Sequence, residues 1–581
     1  MKLWHQALIG LLAIGLYVNT LSHDYALDDK AIIVHNEFTQ KGFAGIPDHF
    51  SHSYWYGLNG KDAGNYRPIS GVSFSIERGI FGDSPAIGHF FNILFYALMC
   101  IVLVRWLHSL EILPTNLLVI ALLIFAAHPI HTEVVANIKS RDEIYCLLFF
   151  ALSAHQFWKW LNDGNRVSLA LSGVLFLLSM LSKETSIALL PIFPLMAYRV
   201  SKKEWESLKK AWVPFAVTAV YLLLYLSVTD LLQDKQYHVF DNALVQDGSA
   251  GELLATKFWI LGEYFKLLFV PHPLVYDYSF NTVPLVSFGN FQVIIAILAL
   301  TAVVAFSIMY AKRRSEKKVL NIAFVLALIL FPLVPVSNFI FTIGSTMAER
   351  FLFIPSLGMT LLFVFALDAL LTRLTINKPA ILWGIGAVIV LLFGAQTIDR
   401  NKDWENDATL FSADIEHLPN NAKAHHNLAN IYKAKAEEAK NQAQRVTFYE
   451  SAARLLEQAI TIYEVHEFHR DLGLIYGELG KWDGVKKSLG RYLEMNPADA
   501  RSWMQLGLAY GITQDMDNAR MAFEKSYALN PRDAEACLNL AKTYAILGNN
   551  ERARKQVEEC GNLDPNNEEI INLARELGQA L

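Results

Sequence analysis

The sequence predicts an all-α protein with two parts, a polytopic membrane core over residues 1–400 and an α-solenoid over residues 401–581. Hydrophobic residues make up 53% of the 581-residue chain and charged residues only 18%, which is too apolar for an ordinary soluble protein. Apolar runs of about 16–22 residues, near the length that crosses a bilayer, recur up to residue 400, whereas the remainder is polar. The net charge of −5 gives no indication of a nucleic-acid partner.

Eleven apolar segments are predicted to cross the membrane as helices. The first follows Lys2 and is interpreted as an uncleaved span, because no small-residue cleavage site precedes the acids at positions 28 and 29. Segment 253–271 is also apolar, but its Lys257, Glu263 and Lys266 favour a helix that lies along the outer surface. The predicted spans are 3–21, 87–107, 115–131, 143–161, 167–183, 185–199, 211–229, 290–311, 319–336, 351–372 and 380–397.

The positive charges predict the orientation of these spans, because short loops rich in Lys and Arg mark the cytoplasmic side. Basic residues lie at 159–166, 199–210, 311–318 and 371–379, and all four groups fall on one side if the N-terminus is cytoplasmic. The polar tail then faces outward, together with the loops 22–86, 230–289 and 337–350. The short tail and the lack of a terminal retention tetrapeptide favour a bacterial inner membrane over the endoplasmic reticulum membrane.

The polar tail contains an internal repeat. Segments 469–497, 503–531 and 537–565 align at a spacing of 34 residues, and each carries Leu, then Gly or Ala, then Tyr, and ends in Pro. The small residue lets two helices approach closely, and the Pro ends the second helix. This pattern resembles the tetratricopeptide repeat, and an earlier copy over 426–432 and 452–460 fits if an insertion of roughly ten residues lengthens its helices. About four such repeats predict a concave surface that binds a polypeptide, with a passive spacer as the alternative.

The cysteines do not resemble a disulfide framework. Cys100 and Cys146 lie in or beside apolar runs, whereas Cys537 and Cys560 occupy packing positions of the last full repeat. We predict that Cys537 and Cys560 act as small buried hydrophobic residues, and a disulfide between them is the alternative.

Polar stretches recur where the predicted spans meet the outer face. Polar groups at a membrane boundary are costly to place, so their convergence on one face indicates a reaction centre at the membrane surface. The stretches are "LDD" (27–29), "YRP" (66–68), "HFFN" (89–92), "HPIHTE" (128–133), "SRDE" (140–143), "SKE" (182–184), "DYS" (277–279) and "AER" (348–350).

In this order, and followed by tetratricopeptide repeats, these stretches resemble those of the TMTC proteins over essentially the whole chain. The resemblance implies the GT-C glycosyltransferase fold for the membrane core. It also implies transfer of mannose from dolichyl-phosphate mannose, or a similar polyprenyl-phosphate sugar, to Ser or Thr of extracytoplasmic proteins bound by the repeats. No divalent metal ion is expected to be required. The tail has fewer repeats than eukaryotic members, and "SRDE" varies a glycine-containing stretch of the family, so the acceptor and the sugar stay open.

The resemblance gives the acidic pair a catalytic role, because GT-C enzymes use an acid of the first outer loop as the base. A Ser or Thr hydroxyl is a poor nucleophile until a positioned carboxylate takes its proton. We predict Asp28 as the general base, with Asp29 next, and mutual repulsion raises the pKa of one of the two carboxyl groups. The alternative is that the pair only caps the helix that follows.

Basic residues at the outer boundary are predicted to bind the donor phosphate, because Arg offers paired donors to phosphate oxygens and Lys a compact charge. We predict Arg350, then Lys183 and Arg67. The alternatives are snorkelling, or salt bridges to Glu349 and Glu184. The residues predicted to line the substrate site are His128, His131, Glu133, Arg141, Glu184, Glu349, Asp277 and Tyr278.

Three alternatives stay open at this point. His128, His131 and Glu133 have a spacing that could supply metal ligands, but a further ligand source is weak, so substrate binding or loop structure is favoured. A GT-C enzyme that acts on a glycan or a lipid is a second reading, although a superhelical groove suits a polypeptide. A third reading is an inactive membrane-anchored scaffold, but the retained Asp28 and Arg350 argue against it.

Overall fold

The computed structural model describes residues 1–62, 64–230, 237–313, 316–371 and 378–578. Its contacts divide the chain into two compact units, Met1–His417 and Leu418–Leu581. The first unit therefore includes residues 401–417, which the sequence pattern assigns to the repeats. The predicted basic loops 311–318 and 371–379 lie partly outside the described residues.

The regular secondary structure of the described residues is helical, with one isolated bridge between Phe280 and Val283, which confirms the predicted all-α class. Each predicted span overlaps a helix, because a long apolar run can satisfy its backbone hydrogen bonds only within itself in a bilayer. The helices are Leu3–Tyr17, Pro85–Ser109, Thr115–Ala127, Arg141–Asp163, Arg166–Ser182, Ile192–Ser201, Trp212–Val228, Phe291–Arg313, Glu316–Leu333, Phe353–Leu371 and Lys378–Asp403.

Fewer helices than predicted are long and apolar enough to cross a membrane. Among the described residues four helices qualify, and two bent helix pairs raise the number to six if each pair forms one span. The predicted count of eleven spans is therefore not confirmed, since several helices are short, such as Ile192–Ser201, or rich in polar side chains, such as Arg141–Asp163. The qualifying helices are Leu3–Ser22, Pro85–Ser109, Glu349–Leu371 and Lys378–Asp403, and the bent pairs are Thr115–Ala127 with Pro129–Val135 and Glu204–Lys210 with Trp212–Val228.

Segment 253–271 forms the helix Ala250–Phe269, which is not among the qualifying helices. Its Ile260 and Tyr264 are buried in the core of the first unit, whereas Lys266 is exposed. This two-sided helix is compatible with the predicted position along the membrane surface, which stays a prediction.

Helix Thr115–Ala127 lies at the centre of the first unit. Its residues 117–127 are all buried, as expected of a helix that is apolar on every side. The helix ends at His128, so the packed core places the "HPIHTE" stretch at the edge of the candidate site. Its neighbours are Leu3–Tyr17, Pro85–Ser109, Phe353–Leu371 and Lys378–Asp403.

Loop 22–86, called the outer loop after its predicted side of the membrane, consists of short helices that position polar side chains. Pro68 occupies the first turn of the longest helix, where a missing N–H is tolerated, and this places Arg67 at the end of the preceding extended segment. Asn36 caps another helix by accepting the N–H groups of Phe38 and Thr39. The helices are Lys30–Val34, a π-helical turn, Glu37–Gln40, Gly42–Gly45, Ile46–Ser51, Tyr56–Asn59 and Pro68–Phe81.

Within residues 418–578 the second unit is a row of four helix pairs followed by one more helix, and about four repeats stays the prediction from the sequence. The helices of the first pair have 17 and 21 residues, against 13 and 14 in the second pair, so an insertion lengthens the first copy as predicted. The helices are Ala422–Glu438, Gln442–Ile462, His466–Glu478, Trp482–Met495, Ala500–Ile512, Met516–Leu529, Ala534–Ile546, Asn550–Leu563 and Glu568–Glu576.

The small residue of each repeat lies where the two helices of a pair touch. A Cβ atom added at Gly473 would lie 2.7 Å from Leu489, and one added at Gly507 would lie 2.6 Å from the ring of Phe523. In the last full repeat the corresponding residues are Ala541 and Val557, which lie in the same buried cluster. Val557 is smaller than Leu489 and Phe523. The size of the small residue thus varies inversely with that of its partner.

Cys537 and Cys560 are both buried, as predicted, but they are joined by a disulfide, which was the alternative. The bond links the two helices of the last full repeat. It closes a small core that also contains Ile570 of the terminal helix.

The helix contact at Gly507 yields a test of repeat packing. Gly507→Ala should lower the free energy of unfolding of the repeat unit by about 1–3 kcal/mol, because Phe523 has no room to move. Gly511→Ala is the matched control on the same helix, where an added Cβ has no atom within 4 Å. It should raise stability by about 0.4–1 kcal/mol, because alanine restricts the unfolded chain. Urea unfolding measures both, and equal effects would contradict the packing argument.

Candidate active site

The acidic pair of the outer loop comprises one buried and one exposed carboxylate. Asp29 has no exposed surface, and its carboxylate accepts the backbone N–H groups of Ala26 at 3.2 Å, Ile138 at 3.2 Å and Lys139 at 2.6 Å. The side chain of Asp28 is 47% exposed and accepts a hydrogen bond from the Lys139 ammonium at 3.1 Å. The geometry therefore gives Asp29 a structural role and leaves Asp28 as the carboxylate that a substrate can reach.

Burial determines the protonation of Asp29. Desolvation raises the pKa of its carboxyl group from 3.8 to about 7, because a buried site disfavours the charged form. The backbone N–H groups act in the opposite direction, and the neighbouring charge of Asp28 adds to the increase. Asp29 therefore titrates in a pH range where an ordinary Asp is fully ionised.

Asp142 lies at the centre of an ion-pair cluster. Its buried carboxylate contacts Arg67 at 2.7 Å and the Lys183 ammonium at 3.5 Å. Arg67 also donates from Nε to Glu184 at 2.8 Å, and Lys183 lies 2.6 Å from Glu143. The side chains of Arg67 and Lys183, two of the cations predicted to bind phosphate, are thus paired with carboxylates and only 9% and 4% exposed.

Arg350 is the most exposed of the three cations predicted to bind phosphate, with 23% of its side-chain surface accessible. Glu133 accepts both its backbone N–H, at 2.7 Å, and one N–H of its guanidinium. The Asp28 carboxylate lies close enough to act electrostatically on this guanidinium. Arg350 borders a narrow cleft whose other lining residues are Glu143, Thr185, Pro332, Val336, Phe351 and Ile354.

The two histidines of "HPIHTE" are buried and hydrogen-bonded within the protein. His128 Nε2 lies 3.1 Å from the carbonyl oxygen of Leu268. His131 contacts the Tyr96 hydroxyl and the Ser356 hydroxyl, both at 2.8 Å. The structure thus places both histidines behind the accessible surface. Among the described residues, no group of three or more His, Cys, Asp or Glu side chains is placed to hold a metal ion.

Arg141 is buried, and the protein itself uses the guanidinium completely. Nε donates to Asn92 at 2.6 Å, and the other N–H groups contact Ser73, Glu77 and the carbonyl of Gly88. Because all five N–H donors of the guanidinium are engaged, Arg141 holds the outer loop together, and a contact with substrate would require breaking this arrangement.

Glu349 connects Arg350 with the loop that contains the "DYS" stretch. It is buried, and its Oε1 accepts the Val275 N–H at 2.6 Å and the Tyr278 hydroxyl at 2.9 Å. Asp277 accepts the N–H of Ser279 within the same loop, at 2.8 Å. Glu349 therefore positions this loop next to the cation that follows it in the sequence.

The structure brings most of the predicted site residues into one charged region. Sequence reasoning missed Lys139, Asp142 and Glu143 as members, although all three lie next to Arg141 at the start of a helix. The sequence contained a signal for them, since two acids in succession at a predicted membrane boundary require nearby cations. The predicted residues that meet in this region are Asp28, Asp29, Arg67, Glu133, Lys183, Glu184 and Arg350.

Comparison with known proteins supports both parts of the predicted architecture. The tetratricopeptide-repeat family model matches residues 513–577. Protein O-mannosyl-transferase TMTC1 of Homo sapiens is 27% identical, with 72% of this chain and 52% of that protein covered. Protein O-mannosyl-transferase TMTC3 of Homo sapiens is 24% identical, with 81% and 53% covered. These relatives confirm the resemblance to TMTC proteins, and the chain spans about half of their length.

Solved structures are also similar to part of this chain. The crystal structure of YrrB, described as a TPR protein with an unusual peptide-binding site, is 21% identical and covers 36% of this chain and 98% of that chain. Its TM-score is 0.26, which is too low for a structural argument.

The buried carboxyl of Asp29 predicts a pH dependence of stability. Because its pKa is about 7 in the folded protein and near 3.8 when unfolded, the folded state binds more protons between these values. The stabilisation is thus complete below about pH 4 and is lost as the pH rises through about 7. In Asp29→Asn the melting temperature should depend less on pH over this range. Asp28→Asn is the control and should keep most of the dependence; an Asp29→Asn profile parallel to that of the wild type would contradict the assignment.

Proposed function

We propose that the chain is a membrane glycosyltransferase that transfers mannose from a polyprenyl-phosphate donor to Ser or Thr hydroxyls of extracytoplasmic proteins. The observation that supports this most directly is the placement of Asp28 and Arg350. A half-exposed carboxylate lies within electrostatic reach of an accessible guanidinium, at the border of a cleft with apolar walls. The names of the relatives, protein O-mannosyl-transferases, point to the same reaction.

Asp28 is the general base in this proposal. The acceptor hydroxyl oxygen forms a bond to C1 of the sugar while the bond from C1 to the phosphate oxygen breaks, and the hydroxyl proton passes to the Asp28 carboxylate. Lys139 holds one oxygen of this carboxylate at 3.1 Å, which orients the other oxygen. The products are the glycosylated protein and the polyprenyl phosphate.

Arg350 binds the phosphate in this proposal. Glu133 holds the backbone and one side of the guanidinium, so the cation is oriented before the donor arrives. The guanidinium can then balance the charge that develops on the leaving phosphate. Pro332, Val336 and Ile354 give the cleft apolar walls that suit the hydrocarbon chain of the donor. Arg67 and Lys183 form ion pairs with the neighbouring carboxylates of Asp142, Glu143 and Glu184.

The outer loop and the repeats are placed on the extracytoplasmic side in this proposal, with a cytoplasmic N-terminus. The disulfide between Cys537 and Cys560 supports this side for the repeats, because disulfides persist in oxidising compartments. An open pocket of about 370 Å³ in the first repeat offers a contact surface of mixed polarity to an acceptor polypeptide. It is lined by Pro419, His425, Arg454, Glu457, Gln458, Thr461 and Ile462.

The acidic pair gives the first test of this function. Asp28→Asn keeps the size of the side chain but removes the proton acceptor, so turnover should fall about 10²–10⁴-fold with little change in donor affinity. Asp29→Asn should instead act mainly through stability. Transfer of labelled mannose from polyprenyl-phosphate mannose to proteins of the host envelope, by detergent-purified enzyme, measures turnover.

Glu37→Gln is the control for the acidic pair, because Glu37 lies in the same loop and its side chain is 67% exposed. It should leave turnover unchanged. Near-normal turnover in both Asp28→Asn and Asp29→Asn would return the pair to a structural role. Host proteins that lose a hexose when the gene is deleted identify the acceptor.

Substitution of Arg350 should show a different pattern from that of Asp28, because Arg350 contacts the donor in this proposal. Arg350→Ala should weaken donor affinity and slow turnover together, and Arg350→Lys should restore only part of the affinity, since Lys lacks the planar fork. Arg105→Ala, which removes an exposed arginine bonded to Gln6, is the control. Donor binding, measured with the labelled lipid, should be normal in the control. Normal donor affinity in Arg350→Ala would exclude the assigned role.

A further inference from the structure

The short helix Asp407–Asp414 contacts the loops on both sides of the candidate site. It belongs to the first unit, although the sequence pattern assigns it to the repeats. Asn406 caps its first turn by accepting the N–H groups of Ala408 and Thr409, which fixes the start of the helix. No catalytic prediction from the sequence includes this helix.

The first residue of this helix holds the segment that carries the acidic pair. Asp407 accepts the Leu27 N–H at 2.7 Å and lies 2.6 Å from the Lys30 ammonium. A further backbone hydrogen bond of 2.9 Å joins the Asp24 N–H to the carbonyl of Glu405. Asp407 thus binds the residue before Asp28 and Asp29 and the residue after them.

The backbone at Leu27 explains why such a bond is needed. Its φ is +50°, in the left-handed region that a bulky side chain rarely adopts. A residue in this conformation persists only where its surroundings hold it there. The Asp407 carboxylate stabilises this conformation by accepting the N–H of Leu27, the residue directly before Asp28.

The last residue of the helix makes a similar contact on the donor side. Asp414 accepts the Tyr276 N–H at 2.7 Å and pairs with Arg400 at 3.0 Å. The neighbouring amide of Val275 is bound by Glu349, the residue before Arg350. One helix therefore contacts the backbone next to the proposed base and the loop next to the proposed phosphate ligand.

We propose that Asp407 is a positioning residue for Asp28, and that its bond to the Leu27 amide determines where the Asp28 carboxylate lies. This inference rests on the proposed function, because it assumes that Asp28 is the base. A displacement of about 1 Å at a reacting group can cost about 10²-fold in rate, so a tether at the preceding amide is sufficient to control turnover.

The contacts distinguish the tether from a general stabilising role. Asp407→Ala removes the acceptor of the Leu27 N–H and the partner of Lys30. Asp407→Asn keeps an acceptor oxygen but loses the charge, whereas Lys30→Ala removes only the ion pair. The Lys30 side chain is 43% exposed, so its ion pair contributes little. Turnover should therefore fall about 10²-fold in Asp407→Ala and only slightly in the other two variants.

The experiment uses the full chain and two measurements. Mannose transfer separates kcat from KM, and Asp407→Ala should lower kcat with little change in the donor KM. Hydrogen exchange of the peptide covering residues 24–30 should be faster in Asp407→Ala than in the wild type, and near normal in Lys30→Ala. Asp399→Asn, which removes an exposed ion pair with Lys402, is the control and should change neither measurement.

The outcomes separate this proposal from the proposed function. A wild-type protein without any transfer activity would refute the proposed function, and hydrogen exchange would still test the tether. An active Asp407→Ala variant with normal kcat would refute the positioning role alone, as would a fall in kcat without faster exchange. If Asp407→Ala is not recovered folded, Asp407→Glu decides, because it keeps charge and acceptor but shifts them by one methylene. Its kcat should fall about tenfold at unchanged melting temperature; a normal kcat overturns the proposal.

Discussion

A carboxylate that is removed from water must be given replacement hydrogen bonds, and Asp29 obtains them from two distant parts of the chain. Its own turn supplies the Ala26 N–H, and the loop between two core helices supplies the N–H groups of Ile138 and Lys139. If Asp29 were lost, three buried donors would lack partners, and the outer loop would lose one of its links to the core. The position of the acidic pair within the charged site therefore depends on this buried group.

The charges around that anchor are arranged so that one cation stays available. Each of the buried cations Arg67 and Lys183 contacts two carboxylates, as a low-dielectric environment requires. Among the described residues Arg350 forms one ion pair, with Glu133, and its side chain has the largest exposed fraction of the three. A site that must bind an incoming anion requires such a less-paired cation. A cation that already contacts two carboxylates would have to release one of them before it could bind the anion.

Local sequence patterns predicted much of this structure, whereas individual contacts between residues far apart in the chain were not predicted. The spacing of Gly473 and Gly507 predicted close helix packing, because each repeat is a local unit whose contacts lie 16 residues apart. The convergence of the polar stretches was predicted from the side of the membrane on which the predicted topology places them. The contact of Asp407 with Leu27 spans 380 residues, and no local pattern reports it. The predicted number of spans is not confirmed, because apolar composition does not distinguish a helix that crosses a bilayer from a short helix buried in a protein core.

The different environments of Asp28 and Asp29 follow from the backbone and not from the chemistry of their side chains. Both side chains have the same chemistry, so the sequence leaves their roles open. The left-handed turn at Leu27 precedes them, and Asp29 faces inward to meet the amides of residues 138 and 139. With that carboxylate fixed, the adjacent side chain of Asp28 is presented to the ammonium of Lys139 and to solvent. The Asp407 contact at Leu27 and the buried Asp29 therefore hold the backbone on both sides of Asp28, which is the arrangement that the proposed role of Asp28 as a base requires.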